Sequence, residues 1–457
     1  MTHYGIEFYV KNKPELDPEF IPLYKFNKAF LETAAESFSF ALERNDNQIS
    51  VVDTMIHGDV GHEEADLYYV ERLVKTLLWQ KGGFKLYVKG NKVVFDMLKE
   101  EYSEGGIRSF DAKIMSDMYM CPFEVVLCDE LPEEYELKKS IGRHFDGCRI
   151  GFDAGGSDYK VSAVIDGEAV YSNETVWLPK ENSDPDYHYK GIMDAFKDAM
   201  KYLPRVDAIG ISSAGIFANN KLLLAQLFQK VPKDLFDQKV RDIYIRAVKE
   251  IGEDIPFEVA NDGDVTALTG SISMDRNNIL GIAMGTSVAG GFVDQEGSIA
   301  GWLNEMAFMP VDASQVAAND NWSGDIGVAV HYFCQEAVIK LAKAAGISLD
   351  DLKTPAEKLK RVQNSLAEGH EGAKKIFSSI GSYLGHTTPL YYDIYGADSI
   401  LLLGRVMSGE GGNIILETAK KVLKDEYPEL NVDLILPDEK TRRMGQSVIA
   451  ASLPEIK

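Results

Sequence analysis

The stretch that decides the fold reads Arg149–Ile–Gly–Phe–Asp–Ala–Gly–Gly–Ser–Asp158 and continues as Tyr159–Lys–Val–Ser–Ala–Val–Ile165. The apolar residues before Asp153 predict a buried strand, and the alternation after Asp158 predicts a second one. Between them, Gly155 and Gly156 predict a tight turn, because glycine tolerates a positive φ and a very close approach of backbone. The tip of such a hairpin exposes several N–H groups and suits a phosphate. The same residues also fit an ordinary tight hairpin that binds no ligand.

This strand–turn–strand pattern occurs a second time, in Ile279–Leu–Gly–Ile–Ala–Met–Gly–Thr–Ser287 followed by Gly290–Gly–Phe–Val–Asp294. Each copy then continues with helices and further apolar strands, Asp207–Ser212 in the first and Ser399–Leu403 in the second. Two related halves, each with a glycine turn after its first strand, imply two lobes that face one cleft.

Two more turns follow strands. Gly404–Arg–Val–Met–Ser–Gly–Glu–Gly–Gly412 leads from a strand through glycines into a helix, and a helix N-terminus suits a nucleotide phosphate. Ala260–Asn–Asp–Gly–Asp264 ends another strand, and taken alone it fits a simple Asn-Asp-Gly turn. In the second glycine turn, Thr286 and Ser287 add hydroxyls that can bond phosphate oxygens.

Charge, apolar content and cysteine number limit the classes of function that this chain could have. The 457 residues carry a formal charge of -23, which favours solubility and argues against a nucleic-acid partner. No apolar run is long enough for a membrane span, and no basic and apolar leader opens the chain, so we expect neither membrane insertion nor secretion. The four scattered cysteines predict free thiols in a reducing cytoplasm. The oligomeric state stays open, a homodimer included.

Residues 1–147 form a separate, acidic region. Apolar periodicity predicts a helix over Phe30–Leu42 and another from about Leu67 to Trp79. A hairpin is predicted from Phe84–Val88 and Lys92–Phe95, because Gly90–Asn91 lies between them. These signals together predict a small α/β domain.

Taken in order, the four turns resemble the sugar-kinase branch of the actin/hexokinase/heat-shock ATPase superfamily and, within it, the ROK family. The resemblance covers about Arg149 to Ser452. It implies an α/β, two-lobed, actin-like (ribonuclease H-like) ATPase fold with duplicated lobes. The first lobe would be 148–270 together with a returning helix, 438–457, and the second lobe 271–437. Residues 1–147 would be an accessory α/β domain.

The resemblance further implies that ATP and Mg²⁺ bind in the cleft between the lobes. The residues it assigns to ATP lie in the three glycine turns: Gly155, Gly156, Ser157, Lys160, Gly285, Thr286, Ser287, Gly404, Gly411 and Gly412. Asp153 would position Mg²⁺ through water, since Mg²⁺ keeps much of its hydration shell.

For the acceptor, the resemblance implies a sugar or polyol hydroxyl whose proton Asp262 takes as general base. Asn261 would bond a neighbouring hydroxyl. Ser213 and Gly215 lie where the family has a sugar-contacting loop, and Glu305 matches the glutamate of the family's Gly-Glu-x-Gly-His motif.

The chain departs from the family in three places, one of which is the second glycine turn, where Ser287 replaces a glycine. In the Gly-Glu-x-Gly-His motif the glycines are Asn304 and Ala307 and the histidine is Phe308. The family's cysteine-rich zinc segment aligns with Asn321–Val330, which has no cysteine. We therefore expect no structural zinc and an acceptor other than glucose as the best substrate.

Three classes of function remain open. The first is an ATP-dependent sugar kinase with an unusual acceptor site. The second is a catalytically silent ATP- or sugar-binding sensor or regulator of the same fold. Against it, both Asp153 and Asp262 are present, and a pure binder has little need of a base. The third is a transcriptional repressor, which the acidic residues 1–148 disfavour because they lack a basic DNA-binding segment.

Overall fold

A computed structural model describes residues 1–137, 140–156, 158–437 and 445–456, apart from the side chain of Gln226. The strands, numbered in chain order, are β1 (Thr2–His3), β2 (Ile6–Glu7), β3 (Glu36–Arg44), β4 (Gln48–Ile56), β5 (Lys85–Lys89), β6 (Glu124–Cys128), β7 (Cys148–Ala154), β8 (Asp158–Ile165), β9 (Glu168–Val176), β10 (Ala208–Ser213), β11 (Ile216–Ala218), β12 (Lys221–Leu224), β13 (Phe257–Asn261), β14 (Ile279–Met284), β15 (Val288–Val293), β16 (Ser399–Leu403) and β17 (Asp433–Ile435).

The helices are α1 (Leu23–Thr33), α2 (Glu63–Lys81), α3 (Lys92–Glu101), α4 (Ser109–Tyr119), α5 (Pro185–Met200), α6 (Lys233–Leu235), α7 (Ile243–Ile251), α8 (Asp262–Met274), α9 (Val330–Phe333), α10 (Gln335–Ala342), α11 (Pro355–Ala367), α12 (Glu371–Tyr395), α13 (Gly409–Glu426) and α14 (Gln446–Ala450). None of the helices in the described ranges combines the length and apolar character that a membrane span requires.

The stretch from Cys148 onward builds a five-stranded sheet in the order β13–β10–β7–β8–β9. Strands β7, β10 and β13 run parallel, whereas β8 and β9 are antiparallel neighbours. Every residue of β7 is buried, the charged Arg149 and Asp153 included. The carboxyl ends of the three parallel strands therefore lie together at one edge of the sheet, where ligands of α/β folds bind.

Glycines let helix α14 lie directly on this sheet. A Cβ atom at Gly151 would lie 1.7 Å from the carbonyl oxygen of Ser447, and one at Gly210 would lie 1.6 Å from that of Ala450. A side chain at either position would force the helix away from the sheet. The other face of the sheet packs a core that includes Phe152, Phe196 and Tyr244.

The second sheet has the order β15–β14–β16–β17. This repeats the order β8–β7–β10–β13 of the first sheet, with each glycine turn between equivalent strands. The duplication predicted from the sequence is confirmed by this shared topology.

The third sheet belongs to the N-terminal region and has the order β4–β3–β5–β6. The helix predicted over Phe30–Leu42 is wrong: α1 ends at Thr33, and β3 begins at Glu36. Phe38 and Phe40 are buried on one face of β3, which pairs with β4 and β5, so the period of two overrides the apparent helical pattern.

The predicted strand Lys92–Phe95 is also wrong, because α3 begins there. The side chain of Asn91 caps this helix by accepting a 3.0 Å hydrogen bond from the N–H of Val94. The partner strand, predicted as Phe84–Val88, is confirmed as β5, and the helix predicted over Leu67–Trp79 lies within α2.

The chain divides into two compact units. Unit 1 contains Met1–Leu137, Ile282–Gly290 and Trp302–Leu436, and unit 2 contains Lys138–Gly281, Gly291–Gly301 and Pro437–Lys457. The N-terminal residues thus share a unit with most of the second repeat. The three-part domain division drawn from the sequence stays a prediction.

Candidate functional site

Unit 2 brings together the predicted residues of the first repeat. Because β7, β10 and β13 run in register, Asp153 lies beside Ser212, and Ser213 lies between Ala154 and Asn261. Asp262 follows Asn261 as the first residue of α8. The sheet edge therefore carries two carboxyl groups close to one glycine turn.

Asp153 is held in a buried position. Its side chain accepts a 2.8 Å hydrogen bond from the Ser212 hydroxyl, and it pairs in register with Lys160 on β8. Burial raises the pKa of Asp153 to about 6; the Ser212 hydrogen bond and the charge of Lys160 oppose this increase, and the charge of Asp262 adds to it. Burial thus disfavours the ionised form of Asp153, and a positive charge bound nearby would stabilise it.

Of the two reasons predicted for glycine in the first turn, the structure supports the close approach of backbone and not the positive φ. Neither Gly155 nor Gly156 has a positive φ. The N–H of Gly155 donates a 3.0 Å hydrogen bond to the carbonyl of Asp158, and a Cβ atom at Gly155 would lie 2.7 Å from that oxygen. Close approach alone therefore explains this glycine. Ser157 lies outside the described residues, and the half-exposed Lys160 ammonium lies 3.7 Å from Oδ1 of Asp158.

Asn261 fixes the start of helix α8. Its Oδ1 accepts a 2.7 Å hydrogen bond from the N–H of Gly263, and its Nδ2 donates to the carbonyl of Gly215 at 2.7 Å. Gly215 has a φ of +145°, and a Cβ atom there would lie 2.8 Å from the Leu224 carbonyl oxygen. One N–H and one lone pair of the Asn261 amide are left for a ligand.

The Ser213 hydroxyl is fully buried and accepts a 2.8 Å hydrogen bond from Tyr244. Its predicted contact with a sugar is not tested by this arrangement and stays a prediction.

Asp262 is a half-buried carboxyl group at the N-terminus of α8. Burial raises its pKa, while the N–H of Gly263, 3.0 Å from Oδ1, and the charge of Lys180 act in the opposite direction. A carboxylate with a raised pKa accepts a proton more readily near neutral pH, which is the property a general base needs.

Lys180 is a site residue that the sequence analysis missed. It lies in a short helical turn, Pro179–Glu181, after β9. The position of a Cβ atom on Gly156 is 3.3 Å from Cε and 3.5 Å from Nζ of Lys180. The lysine thus lies against the glycine turn while its charge acts on Asp262. No motif marks it in the sequence, because only the fold brings the residue after β9 to this turn.

Unit 1 groups the predicted residues of the second repeat. The N–H of Gly285 donates a 2.9 Å hydrogen bond to the carbonyl of Ser287, which closes the turn and leaves Thr286 and Ser287 exposed. Gly404 has a φ of +98°, and a Cβ atom there would lie 2.4 Å from the carbonyl oxygen of Met284. The turns after β14 and β16 therefore lie in contact.

The two other glycines of this group lie in the first turn of α13. A Cβ atom at Gly411 would lie 2.7 Å from the Phe377 ring, and one at Gly412 would lie 1.9 Å from the Met407 carbonyl oxygen. Both positions are closed to side chains by packing within unit 1.

Glu305 lies in unit 1 at the start of a short helical turn, Met306–Phe308. Its N–H donates a 3.1 Å hydrogen bond to the carbonyl of Trp79 on α2. The ring of Phe308, which replaces the histidine of the motif, packs 4.5 Å from the ring of Trp79.

Comparison with solved structures agrees with the fold that the turns predicted. A ROK hexokinase from Thermus thermophilus matches 67% of this chain and 97% of its own, with a TM-score of 0.52 and 16% identity. A ROK-family transcriptional regulator, described as a homologue of the E. coli MLC protein, matches 68% of this chain and 79% of its own, with a TM-score of 0.52 and 16% identity. No protein-family model and no curated protein sequence matches the chain. The fold is that of the ROK and hexokinase-type actin-like ATPases, as predicted.

Proposed function

We propose that this protein is a kinase that transfers the γ-phosphoryl group of ATP to a hydroxyl group of a sugar or polyol. The observation that carries the proposal is the pair of carboxyl groups at one sheet edge, Asp153 and Asp262. Burial raises the pKa of each, and the pair lies beside a glycine turn. Perturbed carboxyl groups of this kind cluster at catalytic sites.

Asp262 acts as the general base. Its carboxylate accepts the proton of the acceptor hydroxyl as the oxygen attacks the γ-phosphorus, and the bond from phosphorus to the β-bridging oxygen of ATP breaks. Asn261, whose amide is anchored by Gly263 and Gly215, uses its remaining N–H and lone pair to orient a neighbouring hydroxyl.

The residues around Asp153 fit Mg²⁺ bound with ATP. The described residues contain no cluster of three or more acidic, histidine or cysteine side chains for an all-protein metal cage. Mg²⁺ needs none, because one or two carboxylates with phosphate oxygens and water suffice. Bound there, the ion would neutralise charge on the phosphate oxygens.

Backbone N–H groups and lysine side chains compensate the remaining negative charge of the ATP phosphates. Gly155 and Gly156 leave the turn without side chains, so phosphate oxygens can approach its backbone. Lys160 and Lys180 both follow that turn in sequence. The Lys160 ammonium lies 3.7 Å from Asp158 and the Lys180 ammonium lies against Gly156, so both supply positive charge to unit 2 near the turn. The resemblance assigns the turns of unit 1 that contain Gly285 and Gly404 to ATP as well.

The test is consumption of ATP in the presence of Mg²⁺ and a panel of hexoses, amino sugars and polyols, with the phosphorylated product identified by mass spectrometry. We expect one acceptor to stimulate ATP turnover well above the rate without acceptor. Binding of ATP and a sugar without any product would contradict the proposal and favour the silent sensor of the same fold.

A further inference from the structure

The segment 304–327, which contains Glu305, is held along its length by residues of the N-terminal region. Helix α2 ends at Lys81, so the carbonyls of its last turn have no partner within the helix. The carbonyl of Gln80 accepts a 2.9 Å hydrogen bond from the N–H of Asn304, and that of Trp79 accepts one from Glu305. The backbone at Glu305 thus serves as the cap of α2.

A buried hydroxyl group strengthens this junction. The hydroxyl oxygen of Tyr395, on α12, lies 2.6 Å from Oε1 of Gln80 and 2.9 Å from Oδ1 of Asn304. Gln80 is fully buried, and Asn304 has a positive φ of 52°. Asparagine tolerates that left-handed backbone, and the hydroxyl adds a side-chain contact to it.

Aromatic rings fill the space after the junction. The ring of Phe308 lies 4.5 Å from Trp79, 5.5 Å from Phe110 and 5.2 Å from Trp322. Trp79 belongs to α2 and Phe110 to α4, so both helices of the N-terminal region contact this part of the segment.

A buried ion cluster holds the end of the segment. Asp325 lies 3.1 Å from Arg72, 2.9 Å from Lys75 and 2.8 Å from Arg108, all from residues 1–137. Lys75 is fully buried and also lies 3.0 Å from Asp111. Burial opposes the charge of Asp325, yet Arg72 and Lys75 hold its pKa below the usual value.

The middle of the segment pairs with residues 21–23, just before and at the start of α1. The N–H of Leu23 donates to the carbonyl of Val311 at 3.1 Å, and the N–H of Ala313 donates to that of Ile21 at 2.8 Å. Asp312 adds a 2.9 Å contact from its side chain to the N–H of Ile21. Backbone pairing, ring packing and ion pairs therefore act on one continuous segment.

We propose that residues 1–137 are the acceptor-side part of the enzyme and that Gln80 and Tyr395 are positioning residues for Glu305. This inference rests on the proposed function and on the resemblance, which assigns Glu305 to the acceptor. Its physical basis is that the carbonyls of α2 and the Tyr395 hydroxyl hold Asn304 and Glu305 before any ligand binds, while ring packing and ion pairs hold the residues that follow. Preorganisation of this kind lowers the entropy that binding must offset.

The test compares Tyr395→Phe with Tyr391→Phe in the full chain. Tyr391 is fully buried on the same helix, and its hydroxyl has no hydrogen-bond partner among the described residues, so its loss removes no hydrogen bond to this segment. Loss of a typical hydrogen bond corresponds to about a fivefold change in an equilibrium. We expect Tyr395→Phe to speed amide hydrogen exchange of residues 304–309 by about fivefold. We also expect a similar rise in the acceptor KM, with the ATP KM unchanged.

The possible outcomes separate this inference from the proposed function. Unchanged exchange at 304–309, or an equal change in Tyr391→Phe, would overturn the positioning role whether or not the wild type is active. Faster exchange without any change in acceptor KM would overturn the link to the acceptor. A wild type without kinase activity overturns the proposed function and with it the acceptor-side role, while the exchange result still decides whether Tyr395 positions Glu305.

Discussion

Asp153 at the end of β7 and Asp262 directly after β13 act on each other electrostatically across β10, the strand between them. Burial raises the pKa of Asp153 to about 6, and the negative charge of Asp262 contributes to that increase. Keeping both groups ionised at neutral pH therefore costs free energy. A cation at Asp153 would remove much of that cost and leave Asp262 free to accept a proton.

The first prediction concerns stability as a function of pH. Because the pKa of Asp153 is about 6 in the folded state and 3.8 ordinarily, protonated Asp153 favours folding. Its contribution to the free energy of unfolding is fully present below pH 3.8 and is lost as pH rises through about 6. At pH 8, Asp153→Asn should therefore be more stable than the wild type by about 2–3 kcal/mol. At pH 3.5 the two should unfold alike.

Thermal unfolding at the two pH values measures this difference, and Mg²⁺ provides the control. Added Mg²⁺ should raise the Tm of the wild type at pH 8 more than that of Asp153→Asn, because the variant lacks the charge that attracts the ion. An Asp153→Asn variant that is less stable than the wild type at pH 8 would show that the buried charge is already compensated.

The second prediction concerns catalysis. Asp262→Asn should lower kcat by roughly 10²–10⁴ and leave ATP affinity unchanged, because the amide keeps the shape of the side chain but cannot accept the proton. Steady-state kinetics with the best acceptor measures kcat, and calorimetry measures ATP binding. Asp275→Asn, at the other end of α8, is the matched control, since Asp275 is exposed and asparagine tolerates its left-handed backbone. Near-normal turnover in Asp262→Asn would remove Asp262 from the mechanism.

The third prediction concerns Lys180. Lys180→Met should lower kcat/KM for ATP by about tenfold, because a charge-assisted contact to phosphate contributes about 1.5–3 kcal/mol in similar settings. Lys180→Arg keeps the charge and should retain more activity than Lys180→Met. Equal losses in both variants would indicate that Lys180 only packs against Gly156.

The fold could be predicted because its signals are local. A buried strand, a glycine turn and an alternating strand occur within one short stretch, and their repetition indicates the duplicated sheets. The failures have local causes as well. Phe38 and Phe40 lie where helical and strand spacing both fit, and pairing of β3 with two neighbours decided between them. Asparagine is common both in turns and at helix N-caps, so Asn91 did not distinguish a hairpin turn from the start of α3.

The contacts of Lys180 and Asp325 could not be predicted, because they join residues far apart in the chain. Asp325 is one aspartate among many acidic residues until the fold places Arg72, Lys75 and Arg108 around it. Such a cluster is strongly context-dependent, since a buried charge is tolerated only where partners surround it. The spacing of these residues in the sequence does not indicate that they contact one another.

The last prediction is that the protein holds no structural zinc and phosphorylates glucose poorly compared with another sugar or polyol. In the segment aligned with the family's zinc motif, ring packing of Phe308 and Trp322 and the ion pairs of Asp325 fix the chain. Nearby, burial raises the pKa of the Cys334 thiol to about 12, so it is a poor source of the thiolate that zinc binds. With Phe308 in place of a histidine, hydroxyls of glucose lose a polar partner, and a site discriminates poorly for groups it cannot bond.

Elemental analysis of the purified chain should find far less than one zinc per chain, and kcat/KM should rank glucose below the best acceptor. Stoichiometric zinc would contradict the first part, and glucose as the best acceptor would contradict the second.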